Sequence, residues 1–318
     1  MNNYFKVSII IINWNGLKDT LECLKSLKEI DYPNYEVFVV DNGSNKEEQD
    51  FLKAKIIKSE EIPQETRLIL SKENLGFSGG NNLAINRILS EDQSDFILLL
   101  NNDTIVEKKF LTELMKMAVQ EKKAGIFGSK IYYYDYERKN NIHSAGFRAD
   151  LSRGSFSSVE KLDKADANNI QEPVAVDFVT GACLLIKKEV IKKIGLLDER
   201  YFLIFEDTDW CLRAEKIGYQ ILYVPKSIVW HKIGQAIKKT KGLSVYYYAR
   251  NLFWLEAKHA DRTQLIKFLL NYFFFIFPKY FFGYPLLKRN YRFWQSYNKG
   301  VIAGVFGLIT IRKNKNFH

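Results

Sequence analysis

The amino-acid sequence predicts an α/β protein whose mostly parallel sheet carries helices on both faces. Over the first hundred residues, unbroken runs of β-branched and aliphatic residues alternate with stretches in which leucine recurs at helical spacing. Hydrophobic residues make up 47% of the 318 residues, which is enough for a full core and excludes a disordered chain. The length allows one large domain or two modest ones.

The strand and helix pattern can be followed along the chain. Residues 7–12 are continuous and β-branched, which predicts a buried strand, and the leucines from Leu17 to Leu27 then share one helix face. The further predicted strands are residues 35–40, 67–70, 95–100, 178–186 and 220–224, the last closed by Pro225. The further predicted helices are residues 49–55, 79–89, 110–119, 189–194 and 206–217, the last stopped by Gly218. Residues 130–173 are polar and predict an irregular or hairpin-like insertion.

The cysteines and the N-terminus indicate the cellular compartment of the protein. Cys23, Cys183 and Cys211 are far apart and odd in number, which predicts neither a disulfide framework nor a zinc cluster. A reducing compartment fits this usage. The N-terminus has no basic region and no small-residue cleavage site, so we expect no secretory signal.

The end of the chain is basic and aromatic. Residues 261–318 contain ten Lys or Arg and one acid, a net charge of +9, whereas the first 260 residues are nearly balanced. Composition favours a helix lying in a membrane interface, with a packed helical subdomain and a nucleic-acid surface as alternatives. Neither apolar stretch of this region reaches the ~20 uninterrupted residues of a spanning helix. The residues that interrupt the first stretch are Lys267, Asn271, Pro278, Lys279 and Pro285.

Polar groups follow four of the predicted strands, at residues 13–16, 41–44, 74–82 and 101–104. Because the carboxyl ends of parallel strands lie along one edge of a sheet, we expect these groups to converge on one crevice. Asp103, flanked by Asn101 and Asn102, suits a divalent cation that carries a phosphate, although the same residues are also typical of a turn.

The motifs at this edge disfavour a dinucleotide-binding fold and differ from the phosphate loop of NTPases. A Gly-x-Gly-x-x-Gly turn does not follow the first strand, and the lysine-bearing phosphate loop of NTPases is missing too. Asp41 offers an acceptor for a pyrimidine base or a ribose. Gly76, Gly79 and Gly80 let the backbone approach a ligand closely.

The chain resembles an inverting glycosyltransferase of family 2 with the nucleotide-diphospho-sugar transferase (GT-A) fold, and it is most similar to rhamnosyltransferase-like members. The resemblance covers roughly residues 7–255 and rests on the order and spacing of several short motifs. These motifs are residues 39–44, 74–77 with Asn81 and Asn82, 99–104, 205–210 with Arg213, His231, and 248–251.

The resemblance implies a role for each acid. Asp41 is similar to the residue that reads the nucleotide base, and Asp207 is similar to the catalytic base, with Glu206 as its reserve. Asp103 occupies the metal position of the family's Asp-x-Asp motif, in which this chain has Asn101 as the first member. His231 either completes a Mg²⁺ or Mn²⁺ site or is structural.

Three further expectations concern neighbouring residues. Asp209 and Arg213 lie one helical turn apart, which predicts a structural ion pair. The donor side is predicted to include Asn13, Asn15, Asp41, Asn42, Gly43, Asn74, Gly76, Phe77, Asn81, Asn82 and Asn102. The acceptor side is predicted to include Thr180, Gly181, Ala182 and Trp210, together with the insertion 130–173.

The resemblance divides the chain into a GT-A catalytic domain, residues 1–258, and a helical membrane-associating extension, residues 259–318. The catalytic domain has a nucleotide-binding half, residues 1–104, and an acceptor-binding half, residues 105–258. The implied reaction moves a sugar from dTDP-rhamnose or a UDP-hexose to a hydroxyl of a glycan or lipid-linked saccharide. We expect a cytoplasmic enzyme at the inner face of the plasma membrane, with an anionic membrane surface and no nucleic acid as partner. The alternatives are a polyprenyl-phosphate sugar transferase and a non-catalytic protein that binds sugar nucleotides or anionic polymers.

Overall fold

The computed structural model describes residues 4–135, 141–160, 170–232, 242–287 and 289–315. The strands are β1 Val7–Asn13, β2 Tyr35–Asn42, β3 Thr66–Ser71, β4 Phe96–Asn101, β5 Thr104–Val106, β6 Ala124–Tyr133, β7 Ile142–Ser144, β8 Phe147–Asp150, β9 Ser155–Ser158, β10 Val174–Val176, β11 Cys183–Lys187 and β12 Gln220–His231. The helices are α1 Leu17–Lys28, α2 Lys46–Lys58, α3 Gly76–Glu91, α4 Phe110–Gln120, α5 Lys188–Ile194, α6 Glu206–Lys216, α7 Leu243–His259, α8 Arg262–Asn271, α9 Phe277–Phe282 and α10 Tyr291–Lys315.

One sheet organises the protein, with strand order β10-β12-β6-β11-β4-β1-β2-β3. The half built from β4, β1, β2 and β3 is parallel, as predicted from the alternation of strands and helices. In the other half β11 lies antiparallel between β4 and β6, while β6 and β12 run parallel to each other. Strands β8 and β9 form a separate two-stranded hairpin.

Helices cover both faces of the sheet, which explains why its central strands read as continuous apolar runs. Along β1, Ile9 and Ile11 pack on one side with α1 and α4, whereas Ile10 packs on the other side with α3 and α6. All three isoleucines are fully buried. A strand with solvent on one face would instead have alternated apolar and polar residues.

Two predicted strands have different limits in the structure. The strand predicted at 178–186 is wrong in its first half, because Phe178 forms only an isolated bridge with Phe147 and continuous pairing begins at Cys183 as β11. Pro225 does not close the last strand. Strand β12 continues to His231, with a register shift between Val224 and Ile228. Proline is tolerated there because a bulge needs no ladder hydrogen bond from its nitrogen.

The predicted insertion is partly sheet and partly hairpin. Its first residues, up to Tyr133, extend β6, and β7 pairs with β6 in turn. The β8–β9 hairpin matches the predicted hairpin-like character. Residues 136–140 and 161–169 of the insertion lie outside the described residues.

Two helices extend beyond their predicted limits for local reasons. Helix α2 begins at Lys46 because the Asn45 side chain accepts a hydrogen bond from the backbone N–H of Glu48. Helix α3 begins at Gly76, directly after the turn that holds Asn74. Both changes leave the strand order unaffected.

The C-terminal helices pack against the sheet domain through a third apolar cluster. Tyr297 and Val301 of α10 are buried together with Leu252 and Phe253 of α7. The same cluster contains Phe205, which directly precedes α6. The basic, aromatic end of the chain therefore shares a core with the start of α6.

The polar residues and prolines that interrupt the first apolar stretch do not end its helix. The chain stays helical from Arg262 to Pro285, through a π-helical turn at Tyr272–Ile276. Pro278 lies in the first turn of α9, where a missing N–H costs least. By length and composition alone this 24-residue segment could cross a membrane, and only 11% of its most apolar window is buried.

Replacing Gly300 by Ala tests the packing of α10 on α7. A Cβ at Gly300 would lie 2.5 Å from the Tyr246 carbonyl oxygen and 2.9 Å from the Ala249 Cβ. We expect overpacking to cost about 2–3 kcal/mol and to exceed the ~1 kcal/mol that alanine gains in helix propensity. Urea unfolding measures the loss. Gly283→Ala is the matched control, because a Cβ there meets nothing within 4 Å. Equal stability of the two variants would contradict the packing described.

Candidate active site

Strand register brings the predicted polar groups together at one sheet edge. Asn13 at the end of β1 is paired with Asp41 at the end of β2. On the other side of β1, Ile12 is paired with Asn101 at the end of β4. The prediction that these strand ends converge is confirmed by these pairings.

A chain of side-chain hydrogen bonds connects the ends of β2, β1 and β4. Asn13 donates from its amide to the Asp41 carboxylate at 2.8 Å. Thr20 on α1 donates to the Asn13 amide oxygen at 2.8 Å, and Asn102 donates to the Thr20 hydroxyl at 2.9 Å. Asp41 is fully buried and also accepts from the side chain of Gln49 at 2.9 Å. The floor of the crevice is therefore fixed before any ligand binds.

The glycine-containing loop before α3 is shaped by two amides. Asn42 accepts a hydrogen bond from the backbone N–H of Leu75 at 3.0 Å and donates to the Asn74 side chain at 3.1 Å. Gly76 has φ of +73° and packs so closely on Phe202 that a Cβ would clash with the Phe202 carbonyl oxygen. Only glycine suits both the left-handed backbone and this close approach.

A second close approach occurs at the turn after β2. Gly43 has φ of +76°, and a Cβ there would clash with the backbone of Glu73. Asn15 bridges to the same turn, because its side-chain oxygen accepts from the backbone N–H of Asn45 at 3.0 Å. The backbone N–H of Phe77 donates to the Phe202 carbonyl at 2.7 Å. The predicted donor loops are thus held against each other and against the loop before α6.

Two predicted donor residues form hydrogen bonds within the scaffold. The Asn81 amide donates to the Phe77 carbonyl one turn earlier in α3. The Asn82 amide donates to the Leu197 carbonyl and its oxygen accepts from the Leu197 N–H. Both side chains are buried, and the bonds of Asn82 occupy both its amide nitrogen and its oxygen.

The predicted metal residues lie side by side. His231 Nε2 is 2.8 Å from the Asp103 carboxylate and 3.3 Å from the Asn101 amide nitrogen. Strand β12 brings His231 there, because it pairs with β5 immediately after Asp103. Burial acts to raise the pKa of Asp103, but its contacts with His231, its own backbone N–H and the charge of Lys232 together lower it. The carboxylate is therefore ionised, as a metal ligand must be.

Asp103 and His231 fit a divalent cation that is shared with a ligand. In the described part of the chain, no three His, Cys, Asp or Glu side chains form a metal-binding group. Mg²⁺ in phosphate-binding enzymes commonly uses one or two carboxylates and takes its other ligands from phosphates and water. The pair matches that pattern, so a cation here would depend on a phosphate for much of its coordination.

Asp207 lies on the other side of the end of β4. Its carboxylate accepts a hydrogen bond from the backbone N–H of Gly181 at 2.8 Å. The next carbonyl, that of Ala182, accepts from the backbone N–H of Asn101 at 3.1 Å. The turn containing Thr180, Gly181 and Ala182 thus joins Asp207 to the strand end that precedes Asp103.

The acids at the start of α6 have different environments. Burial raises the pKa of Asp207, and the N–H groups of Gly181 and Thr208 lower it in part. Burial and then the Asp207 charge raise the pKa of Glu206 well above its ordinary value. Glu206 Oε2 is buried without a hydrogen-bond partner among the described residues. The neutral form of Glu206 is therefore strongly favoured, whereas Asp207 has donors that stabilise its anion.

The third acid of α6 is structural, as predicted. Asp209 forms an ion pair with Arg213 at 2.8 Å, and it also contacts Lys258 and His259 of α7. Burial would raise the pKa of Asp209, but His259 and the cations lower it. This network joins α6 to the C-terminal helices.

Trp210 is not on the acceptor side. Its ring is fully buried in the core, and its indole N–H donates to the Gly195 carbonyl at 2.9 Å. Trp210 lies on the face of α6 that packs against the sheet. The prediction that Trp210 contacts the acceptor is corrected by this burial.

Asn251 is a residue of the site whose role the sequence did not reveal. Ile204 and Phe205, directly before Glu206, both have left-handed backbone with φ of 72° and 75°. Such angles are strained for a β-branched residue. The buried Asn251 amide donates to the carbonyls of Leu203 and Ile204, each at 2.8 Å, and so holds the strained turn. The motif at 248–251 was the only sequence signal.

The comparisons with known proteins agree with this geometry. Fold and site define a glycosyltransferase with the GT-A fold. The chain belongs to glycosyltransferase-like family 2, which matches residues 5–250. It is 27% identical over 265 residues to the dTDP-rhamnosyl transferase RfbF of Shigella flexneri, covering 79% of each chain.

Two further similarities bear on the family and the fold. The N-acetylglucosaminyl-diphospho-decaprenol L-rhamnosyltransferase of Mycobacterium tuberculosis is 25% identical over 182 residues, which are 52% of this chain and 58% of that protein. The mannosyltransferase PcManGT of Pyrobaculum calidifontis, solved with GDP-Man and Mn²⁺, matches with a TM-score of 0.57 at 13% identity. That match covers 96% of this chain and 88% of PcManGT, and it shows the shared fold.

Changing Asn251 to Asp tests the turn before α6. A carboxylate cannot donate to the two carbonyls, so the turn should shift and displace Asp207. We expect kcat to fall about a hundredfold, with the dissociation constant for the sugar nucleotide little changed. Steady-state kinetics and calorimetric titration measure the two quantities. Asn298→Asp is the control, because it removes an equivalent amide-to-carbonyl bond, to Trp294, from α10. A similar loss of kcat in both variants would refute a specific role for Asn251.

Proposed function

We propose that this glycosyltransferase moves a sugar from a nucleoside-diphospho-sugar to an acceptor hydroxyl with inversion at the anomeric carbon. The observation that carries the proposal is the arrangement around the end of β4. Asp103 and His231 lie on one side of it, and Asp207 is tied to the other side through Gly181 and Ala182. A leaving diphosphate and an incoming hydroxyl need opposite sides of one sugar, and this arrangement supports such a geometry.

The donor half would be held by the preformed crevice floor. Asp41 would act on the nucleotide base indirectly, because its buried carboxylate accepts hydrogen bonds from Asn13 and Gln49 and fixes the crevice floor on which the base would lie. The loop around Gly76 allows the backbone to approach the donor. Asp103 and His231 would hold a divalent cation, Mg²⁺ or Mn²⁺, whose charge neutralises the diphosphate. Asn101 in place of a first acid leaves this pair with fewer negative charges than an Asp-x-Asp motif has. The diphosphate itself then contributes more of the attraction.

Asp207 would act as the general base. Its carboxylate takes the proton of the acceptor hydroxyl while the oxygen of that hydroxyl bonds to the anomeric carbon. The bond from the anomeric carbon to the diphosphate oxygen breaks, and both its electrons leave with the nucleoside diphosphate. The Gly181 N–H fixes the direction of the carboxylate. Because attack and departure occur on opposite faces, the configuration inverts.

The relatives support a choice of substrates. The Shigella flexneri relative is named as a dTDP-rhamnosyl transferase, which supports dTDP-rhamnose as the donor, with UDP-hexoses as the alternative. The Mycobacterium tuberculosis relative is named for a diphospho-decaprenol substrate, which supports a lipid-linked saccharide as the acceptor. We propose that the enzyme works at the cytoplasmic face of the plasma membrane in the synthesis of a surface polysaccharide.

The end of the chain supports the membrane assignment. The surface formed by Phe273, Phe274 and Phe275 is exposed, with Phe274 70% and Phe275 72% accessible. The surrounding residues 261–318 carry a net charge of +9. Exposed aromatic rings beside lysine and arginine are typical of proteins that bind an anionic membrane surface.

Asp207→Asn tests the general base. We expect kcat to fall about 10²–10⁴-fold while donor binding is retained, because an amide oxygen still accepts from the Gly181 N–H. Glu206→Gln is the matched control and should keep near wild-type activity, because Glu206 is already favoured in its neutral form. Radiolabelled sugar transfer measures both. Wild-type turnover in Asp207→Asn would remove Asp207 from the mechanism.

The raised pKa of Asp207 also predicts a pH dependence. The base works only when ionised, so kcat should fall as pH decreases through that raised pKa. The acid limb should therefore lie above the pH expected from an ordinary Asp pKa of about 3.9. A pH–rate profile measures the limb. A profile that stays flat down to the ordinary Asp range would contradict the assignment.

Asp103→Ala tests the metal residues. We expect the metal concentration for half-maximal activity to rise at least about tenfold and donor affinity to weaken. Mn²⁺ titration of the activity and calorimetry with the sugar nucleotide give the two values. Asp95→Ala is the control, because Asp95 is an exposed acid that directly precedes β4, at the end of that strand remote from Asp103. Unchanged metal dependence in Asp103→Ala would show that Asp103 does not bind the metal.

A further inference from the structure

A cavity of about 760 Å³ lies between the sheet domain and the C-terminal helices. Its volume is within the ~300–1,000 Å³ typical of small-molecule sites. We call it the aromatic cavity. Helix α7 contributes Val245, Tyr248 and Leu252, and the helical segments after α8 contribute Phe275, Ile276 and Tyr280. The lining is therefore apolar over most of its surface, with tyrosine hydroxyls, Ser155, Ser244 and Lys279 as its polar groups.

One end of the aromatic cavity is close in the chain to the proposed base. Ile204 lines the cavity and is three residues before Asp207. The next residue, Phe205, contacts Phe156 and Tyr248 of the cavity wall, with ring centroids 5.2 and 5.1 Å apart. The wall of the cavity and the strained turn that positions Asp207 are thus one packed unit.

The other end of the aromatic cavity adjoins the exposed aromatic surface. Phe275 lines the cavity and is also 72% exposed, whereas its neighbour Phe274 is equally exposed but does not line it. Lys279, one turn later, lines the cavity and is exposed. A molecule in the cavity would therefore contact both the exposed aromatic residues and the turn that precedes α6.

We propose that the aromatic cavity binds the hydrocarbon chain of an isoprenoid phosphate lipid that carries the acceptor sugar. This inference rests on the proposed function and specifies the acceptor of the same site. A long apolar chain suits an aromatic and aliphatic lining. Lys279 and the basic end of the chain supply positive charge that attracts the anionic bilayer surface from which such a lipid enters. The exposed aromatic surface gives such a lipid a route from the bilayer without leaving apolar surroundings.

Calorimetric titration with farnesyl phosphate tests the proposal. Isopentenyl phosphate carries the same head group on a much shorter chain, so farnesyl phosphate should bind at least about tenfold more tightly. Ser155→Trp places a large ring in the cavity and should weaken farnesyl phosphate at least tenfold. Ser157→Trp is the matched control on the same strand, because Ser157 is exposed and does not line the cavity. Equal affinities of these two variants, or equal binding of the long and short phosphates, would overturn the proposal.

A second pair of variants keeps the test valid if Ser155→Trp fails to fold. Phe275→Ser and Phe274→Ser remove equally exposed rings, so both should reduce partition onto phosphatidylglycerol vesicles to a similar extent. Only Phe275→Ser should weaken farnesyl phosphate, by several-fold. If both variants weaken it equally, the lipid binds the exposed surface and the cavity assignment is wrong.

Donor binding separates this inference from the proposed function. Thermal shift of the wild-type protein with dTDP-rhamnose or UDP-hexoses and Mn²⁺ reports the donor site. Stabilisation by a donor without binding of farnesyl phosphate would overturn the aromatic cavity as a lipid site and leave the transferase proposal intact. Binding of farnesyl phosphate without binding of any nucleotide sugar would instead count against the proposed function, and with it the acceptor assignment.

Discussion

The site depends on the end of β4, where one strand is held from both sides. Parallel pairing with β1 brings the residues after β4 to the donor side, next to Asn13 and Asp41. Antiparallel pairing with β11 brings the turn at Thr180–Ala182 to the other side, where Gly181 holds Asp207. Sequence separations of about a hundred residues are therefore bridged by backbone pairing in one sheet. A register shift of β11 by one residue would turn each of its side chains to the opposite face of the sheet and break this connection.

The same fold gives neighbouring acids different properties. Glu206, Asp207 and Asp209 begin one helix, where the helix dipole favours negative charge. The buried Glu206 Oε2 has no hydrogen-bond partner among the described residues, Asp207 receives backbone N–H groups, and Asp209 is surrounded by cations. Burial alone would make all three carboxyl groups neutral, so their partners decide which of them is ionised. Only Asp207 combines an anionic form that is stabilised with a position beside the crevice.

Much of this arrangement could be predicted from the sequence, because parallel strands impose a rule. Once residues 7–12, 35–40 and 95–100 are identified as strands, their carboxyl ends must share an edge, and Asp41 and Asp103 follow. The antiparallel half gave no such rule. Polar motif residues also look alike whether they face a ligand or the scaffold, so Asn81, Asn82 and Trp210 could be sorted only by their contacts. Asn251 could not be found because its function depends on the backbone angles of a distant turn.

The C-terminal helices add a constraint that composition alone did not indicate. They share a core with the turn before α6, and they also expose aromatic rings. Packing against the sheet domain therefore does not prevent the same helices from binding a membrane.

The central claim is that the donor site and Asp207 share one crevice. Anomalous diffraction from a crystal grown with Mn²⁺ and dTDP tests it most directly. The account predicts one Mn²⁺ peak in contact with the Asp103 carboxylate and the diphosphate, with the open side of the diphosphate facing Asp207. A nucleotide and Mn²⁺ bound elsewhere on the protein would contradict it.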